Sequence, residues 1–253
     1  MTITFLGTGT SQGVPVIACD CEVCLSPDRH DKRLRTSIMI ESEGKVVVID
    51  SGPDFRYQML REKVMHLDAI VFTHEHKDHV AGMDDIRAFN YKQQAAIDVY
   101  ATTRVQAALK KEFSYIFEEF KYPGIPQVNM HTIDLEPFDV GPIHFIPIEV
   151  MHYKLPVLGF RINDFTYITD AKTVSETEKE KIKGTKTLVI NALQTQNHIS
   201  HFTLDEAIAF AREIGAEKTY LTHISHRLGL HKTVSEQLPA GIELAYDGLK
   251  LHS

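Results

Sequence analysis

Three histidines and an aspartate fall within six positions, in the run His74-x-His76-x-Asp78-His79, and they follow directly on the apolar segment Ala69 to Thr73. That segment reads as a buried strand. A chain leaving a strand end can turn alternate side chains inward, so four ligand-type groups converge with little backbone movement. Imidazole and carboxylate together suit Zn²⁺, Mn²⁺ or Fe²⁺. A fold built around such a loop has to bring further donors from distant strands. The sequence offers them at three more strand ends: His152 after Pro147 to Met151, Asp170 after Phe165 to Thr169, and His223 after Thr219 to Thr222. The seven side chains would suffice for two ions with coordination positions left for water or substrate.

The remainder of the chain alternates short β-branched runs with helical ones. Ile3 to Leu6, Ser37 to Glu41, Lys45 to Asp50, Ile143 to Ile148, Gly159 to Ile162 and Leu188 to Asn191 read as further strands, with a turn at Ser42-Glu43-Gly44. Asp84 to Tyr91, Thr103 to Glu119, Ser175 to Lys183 and Thr203 to Ile214 read as helices, and Pro123, Gly124 and Pro126 break the chain between Tyr122 and Pro126. The last helix carries a capping box, Thr203 with Glu206, and a glycine stop at Gly215. The expectation is an α/β fold of two sheets packed face to face with helices outside, in one domain over residues 1–253. The formal charge of −7 argues against a broad basic surface for nucleic acid. The N-terminus lacks a secretory pattern and no apolar run approaches the roughly 18 residues of a membrane span, so a cytoplasmic location without membrane attachment is the default.

The three cysteines, Cys19-x-Cys21-x-x-Cys24, lie within six residues. An odd clustered set is a poor disulfide framework and reads as a metal knuckle. Three thiolates need a fourth ligand for a closed zinc site. His226 is the first choice, three residues after His223, and His231 is the alternative.

With these residues in view, the chain resembles the metallo-β-lactamase fold superfamily along nearly its whole length, from Gly7-Thr8-Gly9 to Tyr246-Asp247-Gly248. The resemblance implies a four-layer αββα sandwich with two metals at one edge between the sheets. His74, His76 and His152 would hold one ion, Asp78, His79 and His223 the other, and Asp170 would bridge them. Asp50 matches a carboxylate that orients a ligand from behind. The segment Gly7-Thr8-Gly9-Thr10-Ser11-Gln12-Gly13-Val14-Pro15 and the cysteines after it are similar to the phosphoribosyl 1,2-cyclic phosphate phosphodiesterase (PhnP-like) branch, and more distantly to tRNase Z. In that branch a structural zinc sits on a matching set, here Cys19, Cys21, Cys24 and His226.

His201 matches an extra histidine of these phosphodiesterases that is not a metal ligand, with His198 as a rival. Asp78 and His201 are therefore the residues expected to share in the reaction, His201 as general acid or as a stabiliser of oxygen charge. The expected activity is hydrolysis of a small or cyclic phosphodiester, in which two zinc or manganese ions lower the pKa of a shared water that attacks phosphorus in line. Rival expectations are a thioesterase or lactonase, a tRNase Z-like nuclease, and a non-hydrolytic PqqB-like metal-binding protein. Substrate is expected to be small, nucleic acid beyond small nucleotides is not expected, and the resemblance makes a homodimer plausible. Tyr153, Lys154 and Arg87 are pocket-lining candidates by nearness to ligands in sequence.

Overall fold

The turn at Glu43-Gly44 shows how local sequence sets the register. Both residues have positive φ, 48° and 80°, as a two-residue hairpin of the twist-matching kind requires, and Ser42 pairs with Lys45. In the computed structural model, described over residues 1–118 and 122–252, this hairpin belongs to a seven-stranded sheet. That sheet is built from β1 (Thr2–Gly7), β2 (Ser37–Ser42), β3 (Lys45–Ile49), β4 (Ala69–Val71), β5 (Ile97–Ala101) and β6 (Val128–Thr132). The second, eight-stranded sheet holds β7 (Phe138–Val140), β8 (Ile143–His152), β9 (Leu155–Ile162), β10 (Phe165–Tyr167), β11 (Thr173–Val174), β12 (Thr187–Asn191), β13 (Lys218–Thr222) and β14 (Ile242–Leu244). The chain then returns as β15 (Lys250–His252) to the edge of the first sheet beside β1. Strand order is β15-β1-β2-β3-β4-β5-β6 in one sheet and β11-β8-β9-β10-β12-β13-β14 in the other, with β7 paired to β8.

Alternation along the strands decides the layers, because successive side chains point to opposite faces. Ile38, Ile40, Val47 and Ile49 of the first sheet meet Phe160, Ile162, Tyr167 and Val189 of the second in a core between the sheets. Their neighbours Met39, Val46 and Val48 face outward onto Phe55, Met59, Val105 and Leu109 of flanking helices. On the far side, Leu188, Ile190 and Leu221 pack against Ala207, Phe210 and Ala211 of the helix Leu204–Ile214. Three cores stacked in this order make the αββα sandwich. Both faces of each sheet are covered, which explains the continuous apolar runs of its central strands.

The capping box at Thr203 and Glu206 is present with Gly215 left-handed behind it. Elsewhere the boundaries move. The expected helix over Thr103 to Glu119 is two helices, Thr103–Glu112 and Ser114–Phe117. It breaks at Phe113, whose φ/ψ of −114°/44° leaves the helical region as the ring turns into the outer core; Glu119 lies outside the described residues. Asp84 to Tyr91 resolves into a 3₁₀ turn, Met83–Ile86, and a helix, Arg87–Gln93. Ile143 to Ile148 and Gly159 to Ile162 extend into the long hairpin of β8 and β9. Strands β5, β6, β7, β11, β14 and β15 have no counterpart among the strands read from the sequence; β6 is an edge strand whose Asn129, His131 and Thr132 blur the apolar pattern.

A candidate dinuclear metal centre and a cysteine knuckle

The seven ligand-type residues meet where strands of both sheets end. The loop after β4 delivers His74, and the short helix Lys77–Val80, with His76 just before it, carries Asp78 and His79. His152 closes β8, Asp170 follows β10, and His223 follows β13. Asp50 follows β3 on the same edge. Asp50, Asp170 and His223 all adopt left-handed backbone, with φ of 65°, 57° and 55°. This conformation is uncommon for residues with a Cβ and gathers at functional sites. It turns the side chain back across the strand end instead of onward along it.

Hydrogen bonds behind the cluster decide which ring atoms remain free. Asp50, fully buried, accepts from the Thr73 amide (2.9 Å), the Thr73 hydroxyl (2.8 Å) and His79 Nδ1 (2.7 Å). The Thr73 hydroxyl, having given its proton to Asp50, is left to accept from His74 Nδ1 at 2.9 Å. One carboxylate therefore sets the tautomer of two histidines, directly for His79 and through Thr73 for His74. His152 Nδ1 is held by the Ser200 carbonyl at 2.9 Å. In each case Nε2 points into the cluster. Thr73, Thr169 (whose hydroxyl donates to Asp170 Oδ2 at 2.7 Å) and Ser200 carry no signal in the sequence, because their roles lie in where a hydroxyl or a carbonyl happens to sit.

Inside the cluster, Nε2 of His74, His79 and His223 is buried without an acceptable hydrogen bond. His79 Nε2 nevertheless lies 3.2 Å from both Asp78 Oδ2 and Asp170 Oδ2, and His223 Nε2 lies 3.2 Å from Asp170 Oδ1. Buried polar atoms normally find partners. Several of them gathered around common points are what a cation would satisfy, since ligands at about 2.1 Å from an ion in tetrahedral array stand about 3.4 Å from one another. Donor atoms of His74, His79 and Asp170, of Asp78, His79 and His223, and of His152, Asp170 and His201 each lie within 4.8 Å of one another. Asp170 thus belongs to two groups. His76 is in none of them, but its exposed ring sits 4.6 Å from that of His74 and 5.2 Å from that of His152.

Electrostatics run the same way except at His79, where burial is outweighed by Asp170, Asp78 and Asp50, which hold the imidazole well above its usual range. Burial holds His74 well below the usual imidazole range and so keeps its lone pair available. Burial alone would push Asp170 up, but His223 and His79 outweigh it and hold the carboxyl well below its ordinary value. Asp78 is lowered against its burial by His79 and His223. His201 Nε2 faces Asp170 Oδ1 at 3.0 Å, and burial pulls this imidazole down to about 4 in spite of that carboxylate. Its Nδ1 side meets the Ser200 hydroxyl at 3.1 Å and His198 Nδ1 at 3.2 Å. His198 stands behind His201, not beside the cluster.

The cysteines form a separate nest. Sγ atoms of Cys19, Cys21 and Cys24 lie 3.3, 3.3 and 3.5 Å from His226 Nδ1. One ring nitrogen cannot serve three thiols, having a single proton or lone pair, whereas a tetrahedral zinc would place sulfur and nitrogen about 3.6 Å apart. Hydrogen bonding, first from the Cys24 amide and then from His226, pulls Cys21 down to about 6. His231 is elsewhere, with Nδ1 at 3.0 Å from Arg33 and its ring stacked on His30. Tyr153 and Lys154 form the exposed turn after His152. Arg87 pairs with Asp84 and lines a groove with Tyr91 and Gln127, away from the cluster.

The sequence profile of the beta-lactamase superfamily domain matches residues 45–224, the span that carries every one of the seven. The chain belongs to the metallo-β-lactamase superfamily. Within it, a solved structure described as a new diphosphatase from the PhnP family is 42% identical, with a TM-score of 0.94 over 100% of this chain and 97% of that one. Zinc-bound PqqB from Methylobacterium extorquens shares the metallo-β-lactamase fold at a TM-score of 0.81 and 19% identity, covering 100% of both chains. A Porphyromonas gingivalis protein named octanoyltransferase is 40% identical over 99% of this chain and 51% of its own length. A ribonuclease Z of Methanosarcina acetivorans is 27% identical over 64% of this chain and 48% of its own. The chain spans about half the length of these two curated relatives.

Proposed function

We propose that this metallo-β-lactamase-fold protein is a dinuclear metal-dependent phosphodiesterase acting on a small or cyclic phosphodiester. The observation that carries the reading is the convergence of seven ligand-type side chains, with Nε2 of His74, His79 and His223 buried and without a hydrogen bond, beside His201. His74, His76 and His152 would hold one zinc or manganese ion, Asp78, His79 and His223 a second, and Asp170 both; Cys19, Cys21, Cys24 and His226 would hold a structural zinc. When bound, the catalytic ions supply Lewis acidity that activates water and neutralises phosphoryl charge. The protein's part is to hold its donors in one geometry, through Asp50, Thr73 and Ser200, and to present His201 Nε2 as donor to the phosphoryl or leaving oxygen. His198 and the Ser200 hydroxyl fix the far side of that ring.

A second reading, cleavage of a phosphoanhydride, is favoured by the description of the 42% identical structure as a diphosphatase. Both readings place charge on the same oxygens. The octanoyltransferase and ribonuclease Z names belong to proteins about half covered by this chain, and a net charge of −7 does not favour a large RNA. No helix among the described residues is long and apolar enough to cross a membrane, and three free cysteines suit a reducing cytoplasm.

The test is turnover by metal-reconstituted protein of bis(p-nitrophenyl) phosphate, a cyclic ribose phosphate, a disubstituted diphosphate, a thioester and a lactone. Phosphorus esters are expected to lead, and His76→Ala is expected to reduce them to background; thioester or lactone turnover without phosphodiester turnover would overturn the proposal. Asp50→Asn, which keeps the shape but weakens the grip on His79 and Thr73, is expected to cut metal affinity about 10- to 100-fold. Chelator competition checks it, and an unchanged affinity would remove Asp50 from the ligand-orienting role.

A further inference from the structure

A second concentration of charge lies outside both ligand clusters. Arg29, His30, Lys32 and Arg33 fall within five positions. The fold joins them to Tyr57 and Arg61 of the helix Phe55–Arg61 and to Tyr246 and Asp247 near the C-terminus. They line a cavity of about 760 Å³, within the roughly 300–1,000 Å³ of small-molecule sites. No lining residue belongs to the His/Asp cluster or the cysteine nest.

Arg33 is the unusual member. It is 4% exposed, and every contact it makes is to a neutral acceptor: Nη1 donates to Thr8 Oγ1 (2.8 Å) and the Ala245 carbonyl (2.6 Å), and Nη2 lies 3.0 Å from His231 Nδ1. Among the described residues no carboxylate forms an ion pair with it. The nearby acids are engaged by others. Asp31 accepts from the Ser26 hydroxyl (2.6 Å) and the His231 amide (2.7 Å). Asp247 accepts from the Thr8 hydroxyl and the Leu34 amide, both at 2.8 Å, and faces Arg61 at 3.4 Å. Burial pulls Arg33 down to about 10, with Asp247, Asp31 and Asp28 opposing at longer range, so it stays charged at neutral pH. A buried charge without a contacting counter-ion is costly.

The other cations are available as well. Among the described residues, Lys32 Nζ makes one hydrogen bond, to the Cys24 carbonyl at 3.0 Å, and the exposed Arg29 side chain has no polar partner. Of the residues lining the cavity, Asp247 is the one carboxylate. The lining carries aromatic rings: His30, stacked on one face by His231, meets Tyr246 edge-on at 4.6 Å, and Tyr57 is 58% exposed. Rings of this kind stack on planar ligands.

We propose that this cavity is a second binding site, for a nucleotide-sized anion carrying a flat ring, its phosphate taken by Arg29, Lys32 and Arg33 and its ring laid against His30, Tyr246 and Tyr57. The inference stands apart from the metal chemistry proposed above.

Because the chain contains no tryptophan, Tyr57→Trp places a single indole reporter in the cavity lining. Titration of the full chain with adenosine monophosphate is expected to give a saturable fluorescence change, at least tenfold weaker with adenosine, which lacks the charge. Isothermal titration with Tyr57 intact guards against the indole itself filling the cavity. In both measurements, Arg29→Glu with Lys32→Glu should weaken binding at least tenfold, while His76→Ala, a change in the other cluster, should leave it unaltered. Absence of saturable binding overturns the proposal. So does binding that survives the double charge reversal, or that disappears with His76→Ala.

Discussion

Replacing Asp170 with alanine is expected to lower phosphodiester turnover at least about a thousandfold and to deplete metal from both halves of the His/Asp centre. Its two carboxylate oxygens lie 3.0 to 3.2 Å from His201, His223 and His79, so it faces donors of both proposed ion sites. Loss of a group that merely supports a ligand already costs about 10- to 100-fold, and loss of a donor shared by two sites must exceed that. Asp170→Asn separates charge from backbone, because asparagine tolerates the left-handed conformation found there. It should fold as the parent does and still fail to turn over. The checks are kcat/KM on bis(p-nitrophenyl) phosphate and metal content by mass spectrometry. Two retained metal equivalents with a rate within tenfold of the parent would dismiss Asp170 as a shared ligand.

Cys21→Ala is expected to do the opposite, sparing the His/Asp centre's metal while removing one zinc and much of the stability. The nest joins the N-terminal loop to the segment that carries His223, positions more than 200 residues apart in sequence. Its loss removes a crosslink that no apolar core replaces, since Val14, Val23 and Cys24 form a small buried cluster of their own. Loss of a metal is among the few causes of destabilisation of about 4 kcal/mol or more, which corresponds to roughly 10 °C in melting temperature for a chain of this size. Differential scanning calorimetry with zinc counting tests it. An unchanged zinc count, or a melting shift below about 2 °C, would leave the cysteines as free thiols.

Much of the candidate cluster could be located from the chain because its ligand-type residues stand just after apolar strands. His74, His152, Asp170 and His223 each follow an apolar run, and the cysteines announce themselves by spacing. The layers were legible for the same reason, since strands buried on both faces read as continuous apolar runs. What could not be read depends on conformation. Thr73 looks like any strand-end threonine until its hydroxyl is seen between Asp50 and His74. The helix break at Phe113 follows from where an aromatic ring finds room, and β6 hides because an edge strand has little to bury. The cavity around Arg33 was invisible because its walls come from four separate stretches of chain.

The left-handed backbone at Asp50, Asp170 and His223 has a consequence for how the protein can change. Glycine would sit more comfortably at each of the three, where residues with a Cβ carry a conformational cost of order 1–3 kcal/mol. Selection for robustness alone would therefore erode the side chains that the proposed metal centre requires. A hardier descendant and an active one are drawn toward different residues at the same three corners, so mutants found by screening for heat tolerance should cluster there and be inert.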